Sequence, residues 1–356
     1  MNKIYRLWAL VVTISVLALG AVVANSNSPS SAEGGCAGKA YVTNQNANTV
    51  SVIDTATNAV VGSAIPVGSG PVAIAITPDG TKAYVVNFNA DTVSVIDTAT
   101  NAVVGSPITV GDVPRGIAIT PDGTKAYVTN QNANTVSVID TATNAVVGSP
   151  IPVGSVPIGI AITPDGTKAY VTNANANTVS VIDTATNAVV GSAIPVGDLP
   201  FGIAITPDGT KAYVVNFNAD TVSVIDTATD AVVGSAIPVG SVPYGIAITP
   251  DGTKAYVTNS NANTVSVINT ATNAVVGSAI PVGSEPVGIA ITPDGTKAYV
   301  TNRNADTVSV INTATNAVVG SPITVGDLPF GIAICPAAVV PPTTPTDPAV
   351  VLKFTG

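Results

Sequence analysis

Residues 116–154 read GIAITPDGTKAYVTNQNANTVSVIDTATNAVVGSPIPVG, and this stretch decides the fold. It holds four apolar runs, Gly116–Ile119, Ala126–Thr129, Thr135–Ile139 and Ala145–Val153, separated by turn chemistry. Thr120-Pro121-Asp122-Gly123 puts Pro second and Gly fourth, as a type I turn prefers. The Asn-rich Asn130–Asn134 ends the second run, and Asp140–Asn144 ends the third. Val, Ile and Thr fill the runs, which favours strands over helices.

The stretch recurs around Tyr41, Tyr84, Tyr127, Tyr170, Tyr213, Tyr256 and Tyr299, every 43 residues, with no insertion or deletion. Four short strands in a unit of that length match a propeller blade. Gly116–Ile119 is apolar at successive positions, which predicts a strand buried on both faces and lying innermost, beside a central channel. The repeat region starts inside the unit, at residues 39–44, and stops after a first run, at residues 331–335. The two fractions complete one blade. The prediction is an all-β, seven-bladed β-propeller of four-stranded blades, closed by pairing its N- and C-terminal segments. Closure removes the free strand edges that an open array would expose.

The cysteines fit that closure. Cys335 occupies the place of Thr292 in the preceding unit, and Cys36 the place of Asp79. One stands on each side of a turn that the closing blade lacks, a separation within reach of a disulfide.

The recurring Tyr-Val-Thr-Asn, as at Tyr41–Asn44 and Tyr170–Asn173, resembles the signature of YVTN-family β-propeller repeat proteins. The resemblance covers residues 36–335; Val86 and Val215 depart from it, standing where the other units have Thr. It implies the propeller fold and a surface-layer, secreted or envelope setting. Because that family shares a scaffold more than a reaction, it implies little about activity.

Composition narrows the function. The net charge is −9, and the basic residues of the repeats are mostly one Lys per unit, which argues against nucleic acid. Histidine is absent, which excludes His-based triads and His-ligated zinc or haem. Lys3, Arg6 and the apolar run Leu7–Ala24 predict a signal peptide over 1–24. A flexible leader over 25–35, the propeller over 36–335 and a Pro/Thr-rich tail over 336–356 follow. The expected location is extracytoplasmic, where a disulfide can form, and the expected state is a monomer without a membrane span once the signal is cleaved.

The units differ from one another at two places. One is the approach to the first run: Val72, Arg115, Ile158, Phe201, Tyr244, Val287 and Phe330. The other is the loop after the second run: Gln45, Phe88, Gln131, Ala174, Phe217, Ser260 and Arg303. In an up-and-down blade both lie on one side of the ring, so Phe88, Arg115, Phe201, Phe217, Tyr244, Arg303 and Phe330 form the candidate ligand-binding face. Aromatics and Arg dominate interface energetics. Phe88 and Phe330 are expected on one pair of neighbouring blades, with Phe201, Phe217 and Tyr244 roughly opposite.

Other features are plainer. The Asp ring (Asp79, Asp122 and equivalents) reads as turn formers, and the Lys ring (Lys82, Lys125 and equivalents) as a solvated face. The loops such as Asn87–Asp91 lack the clustered carboxylates of a strong Ca²⁺ site. No catalytic constellation, metal set or cofactor motif stands out. The sequence therefore points to an exported non-enzymatic scaffold that binds a protein or glycan at the cell envelope or surface. Two alternatives stay open: a lyase-like propeller enzyme using carboxylates and Tyr at the channel mouth, and a nucleic-acid binder using Arg115 and Arg303.

Overall fold

In the blade that starts at Pro114, the inner strand Pro114–Ile119 pairs with Lys125–Asn130, which pairs with Thr135–Asp140, all antiparallel. Two short pieces, Ala145–Val146 and Ile151–Pro152, complete the outer edge on the third strand. The single fourth run expected from sequence is thus broken, with Gly148 at φ 71° between the pieces. Only the blade starting at Pro157 keeps a continuous outer strand, Ala188–Pro195. This computed structural model describes residues 35–337; the expected signal peptide, nearly all of the leader and the tail beyond 337 lie outside them.

Seven such sheets form a ring. The inner strands Pro71–Ile76, Pro114–Ile119, Pro157–Ile162, Pro200–Ile205, Pro243–Ile248, Pro286–Ile291 and Pro329–Ile334 adjoin in that order, and the last returns to the first. Pro329–Ile334 supplies the inner strand for the blade of Lys39–Asn44, with Ala40 opposite Ile334 and Val42 opposite Ile332. Cys36 and Cys335 are disulfide-bonded across the cut turn, Cα to Cα 5.7 Å. The Lys39 amide donates to the Cys36 carbonyl, and the Cys335 amide to that of Lys39. The second bond has its equivalent in an uncut turn, from the Thr77 amide to the Lys82 carbonyl; the first does not, since the uncut turn bonds the Gly80 amide to the Thr77 carbonyl instead. The disulfide therefore replaces a covalent turn and keeps the bond that ties its inner strand to the second.

The core lies in the seams between blades. Tyr127, Val136, Val138 and Ile151 of one blade pack against Ile160, Ala169, Val171 and Ile182 of the next. Second and third strands are consequently buried nearly end to end. The inner strand is not: Ile117, Ala118 and Ile119 are only partly covered. This corrects the expectation of a strand buried on both faces, because one side of it lines the open channel.

Each seam also carries a polar staple. The buried Tyr127 hydroxyl donates to Asn187 Oδ1 at 2.6 Å in the following blade, and Lys125 Nζ donates to the Thr184 carbonyl at 2.7 Å. Asn187 has φ 54°, a left-handed conformation that Asn tolerates better than most residues. The pattern repeats around the ring, as in Tyr84 to Asn144 and Tyr299 to Asn58. The lysines are therefore inter-blade donors rather than a merely solvated face. Burial, reinforced by the nearby Asp183 charge, pushes the Tyr127 phenol up to about 12.

The remaining signature residues have equally local roles. Thr129 Oγ1 accepts from the Gly116 amide and donates to the Ile158 carbonyl of the next blade, both at 2.8 Å. Buried Asn130 donates to Thr135 and Ser137 and accepts from the Gly111 amide. The Asp ring does form turns: Asp122 accepts from the Thr120 hydroxyl at 2.5 Å and the Thr124 amide at 3.0 Å. Those bonds, the Thr120 hydroxyl foremost, hold its carboxyl below the usual range.

Candidate functional site at the channel mouth

The inner strands do not run in simple register. Pro114 pairs with Asn130 and Ile117 with Val128, so Arg115 and Gly116 together face the single residue Thr129. Such a bulge re-aims a side chain out of the ladder. Five further blades place Ile158, Phe201, Tyr244, Val287 and Phe330 in the same way. Gly116 is required there, because a Cβ would lie 2.4 Å from the Ile158 carbonyl oxygen. The sequence signal for the bulge was this lone glycine inside a strand.

Just before each bulge a non-glycine residue adopts a left-handed conformation: Val113, Val156, Leu199, Val242, Glu285 and Leu328, with φ between 51° and 59°. For branched residues this backbone is strained by about 1–3 kcal/mol, the kind of strain found at functional sites. It is held from both ends. The Glu285 amide donates to Asn263 Oδ1 at 2.8 Å, and its carbonyl accepts from the Arg303 amide at 2.9 Å. The equivalent bonds hold Val113, whose amide donates to Asp91 Oδ1 and whose carbonyl accepts from the Gln131 amide.

All seven residues singled out from sequence, Phe88, Arg115, Phe201, Phe217, Tyr244, Arg303 and Phe330, line one cavity of about 630 Å³. Phe201 stacks on Phe217 at 4.7 Å between centroids, and Tyr244 meets their edges at 5.0 and 6.1 Å. Tyr244 also reaches Phe330 at 5.5 Å. The two opposite aromatic groups expected from sequence are therefore one cluster spanning the mouth, joined because Tyr244 projects inward from its bulge. Arg115, Phe201, Tyr244, Val287 and Phe330 also bound a narrower cavity of about 230 Å³ in the channel beneath.

The cations are positioned differently. Arg115 lies over the Phe88 ring at 4.5 Å, its Nε donating to Gln131 Oε1 at 2.6 Å. Arg303 lies over Phe330 at 5.8 Å, and its Nη1 binds Glu285 Oε1 at 2.7 Å. Desolvation raises the Tyr244 phenol, opposed by the Arg115 and Arg303 charges and aided by Glu285. Tyr244 therefore stays protonated at neutral pH.

Sequence reading missed Glu285. It is the sole Glu among residues 36–335, and that rarity was the available signal. It is also the one carboxylate lining the mouth cavity among the described residues. Asp91, Asp220 and Asp306 instead accept from the Val113, Val242 and Leu328 amides. Among the described residues no group of three or more His, Cys, Asp or Glu is placed to hold a metal ion, and no helix is long and apolar enough to cross a membrane.

Solved structures share the fold. A chain of the Kuenenia stuttgartiensis hydrazine synthase is 27% identical, with a TM-score of 0.70, over 80% of this chain and 94% of that one. A functionally unknown protein from Desulfotomaculum acetoxidans is 23% identical, TM-score 0.74, over 85% and 100%. A putative 6-phosphogluconolactonase from Bacteroides uniformis is 18% identical, TM-score 0.71, over 83% and 98%. No curated protein matches the chain. The family model for lactonases of the seven-bladed β-propeller type matches residues 38–146 and 202–329, more than half of the chain. This match overturns the expectation of a non-enzymatic scaffold and favours the enzymatic alternative. The ring of seven blades agrees with that match, and the chain belongs to the lactonase, seven-bladed β-propeller family.

Proposed function

We propose that the chain is a lactone hydrolase acting at the channel mouth, with Glu285 as general base. The observation that carries this reading is the match to the lactonase propeller family. The geometry supplies the groups that the reaction needs. Glu285 takes a proton from a water that adds to the lactone carbonyl. The Arg303 guanidinium beside it, 2.7 Å away, stabilises the oxyanion that develops. The ring C–O bond then breaks, the proton passes to the departing alkoxide, and a hydroxy acid results. Arg115, whose bonds are to a neutral amide and an aromatic face, offers its charge to the new carboxylate. Tyr244 donates from the floor of the mouth.

The carboxylate and Tyr expected of a lyase-like enzyme sit in the same place, as Glu285 and Tyr244. Hydrolysis is preferred because of the family. The repeats are read as YVTN-type and the enzyme as working outside the cytoplasm, at the surface, in the periplasm or secreted. The disulfide supports that compartment. Acid release from γ-butyrolactone in a pH-stat tests the activity. Glu285→Gln should lower kcat/KM by about 10²–10⁴-fold, the usual contribution of a general base, with little change in melting temperature. Undiminished turnover by that variant would remove Glu285 from the mechanism.

A further inference from the structure

The rings at the mouth are not core. Phe201, Phe217 and Tyr244 join none of the seven hydrophobic clusters between blades, whereas Phe88 and Phe330 border one of them. The three pack on one another, half-exposed, with their remaining apolar surface turned to the cavity. Beside them, on the blades that start at Pro243 and Pro286, the wall is polar: Ser260, Asn261, Ser284, Glu285 and Asn304 line it. Arg303 connects the halves, touching Glu285 on one side and the Phe330 face on the other.

From this division we infer that the substrate is an amphiphilic lactone, one whose ring carries an alkyl chain of several carbons, and that Phe201 and Phe217 set the specificity for that chain. The inference rests on the hydrolase reading. A polyhydroxylated sugar lactone can lay only its C–H face on one ring, so it buries less apolar area against three rings than an alkyl chain does. An alkyl substituent on the same rings is favoured by burial. The lactone carbonyl then lies on the polar wall, beside Glu285 and Arg303. At about 630 Å³ the cavity exceeds what a bare five-membered ring fills.

The experiment measures kcat/KM across γ-butyrolactone, γ-valerolactone, γ-hexalactone and γ-octalactone, together with glucono-δ-lactone. Binding of the matching γ-lactams, which are not hydrolysed, is followed in parallel by calorimetry. Each methylene that the rings bury should raise kcat/KM about fourfold, so γ-octalactone exceeds γ-butyrolactone by about two orders of magnitude. Phe217→Ala should flatten that slope. Should Phe217→Ala fail to fold, Phe201→Leu, which keeps an apolar side chain but loses the stacked ring, should reduce it. Turnover that is flat with chain length, or fastest on glucono-δ-lactone, overturns the inference and leaves the hydrolase reading standing. Lactams that bind with the expected slope while no lactone is turned over sustain the amphiphilic site and sink the hydrolase. Lactams that bind with no slope overturn the inference whatever the turnover.

Discussion

Replacing both Cys36 and Cys335 with Ala separates the two devices that close the ring. The disulfide joins residues 299 apart in sequence and lies fully buried. In the chain-entropy account a loop of that size restricts the unfolded state by about 5–6 kcal/mol, and the two lost sulfur atoms leave a small void besides. Unfolding entropy of about 2.1 cal/mol/K per residue gives roughly 0.6 kcal/mol/K over the ring, so the melting temperature should fall by about 9 °C. The fold should survive, because Lys39–Asn44 still pairs with Pro329–Ile334 and two seams still bury their cores around that blade. Calorimetry of the wild type and the double variant, with amide exchange read at Tyr41 and Val42, measures both parts. An unmoved melting temperature would refute the entropic reasoning. Selective loss of protection in Lys39–Asn44 at room temperature would show that the disulfide, and not the strand pairing, holds the ring shut.

Alkaline stability should be lost in one cooperative step. The buried phenols of Tyr41, Tyr84, Tyr127, Tyr213, Tyr256 and Tyr299 are each pushed from 10.0 to about 12 by desolvation first. A raised folded value favours the protonated form, so this contribution is complete below pH 10 and disappears as pH rises towards 12. Phenolate absorbance and loss of sheet circular dichroism should rise together; phenols that titrate near 10 in an intact sheet would disprove it. Gly159→Ala should destabilise by about 1–3 kcal/mol, read from the denaturant midpoint, because its Cβ would lie 2.3 Å from the Phe201 carbonyl oxygen. At the matching position of the blade that starts at Pro71 the residue is Ala73, paired with Val86.

Blade number, strand order within the blade, ring closure and the disulfide were all legible, since each follows from period and phase in a repeat of constant length. What escaped depended on contacts between units. The Tyr hydroxyl, the Lys ammonium and the Thr hydroxyl act on the following blade, 57 to 60 residues away for Tyr127 and 29 for Thr129. A single unit cannot show a bond whose partner lies in the next. The Thr-to-Val exchange at Val86 and Val215 removes a hydroxyl that elsewhere links inner strands, as Thr129 links Gly116 and Ile158. At the site, the aromatic and Arg positions were found by variation among units. Their union into one cluster was not, because the bulges that aim Tyr244 towards Phe330 are a property of register.

The same staples explain why variation among the units gathers on one face. On the side of the invariant turns, each Asp140–Asn144 equivalent receives a Tyr and usually a Lys from the preceding blade, so that a change there disturbs a seam. The departure at Asp230 keeps the staple, since Tyr170 donates to it and Lys168 pairs with it at 2.8 Å. On the opposite side the varied residues are held by their own main chain: within a blade the Arg303, Phe217 and Gln131 amides donate to the carbonyls of Glu285, Leu199 and Val113, and across the seam the Glu285, Leu199 and Val113 amides donate to Asn263, Asn177 and Asp91. Bonds through their main chains leave the side chains free to vary. One scaffold can therefore put Phe, Tyr, Arg or Glu at equivalent positions of the mouth without loosening the ring. The repeated residues need not repeat their roles: Phe88 and Phe217 stand three units apart, yet one carries Arg115 and the other stacks on Phe201. A seven-fold frame with an asymmetric mouth follows from this partition of main-chain and side-chain bonding.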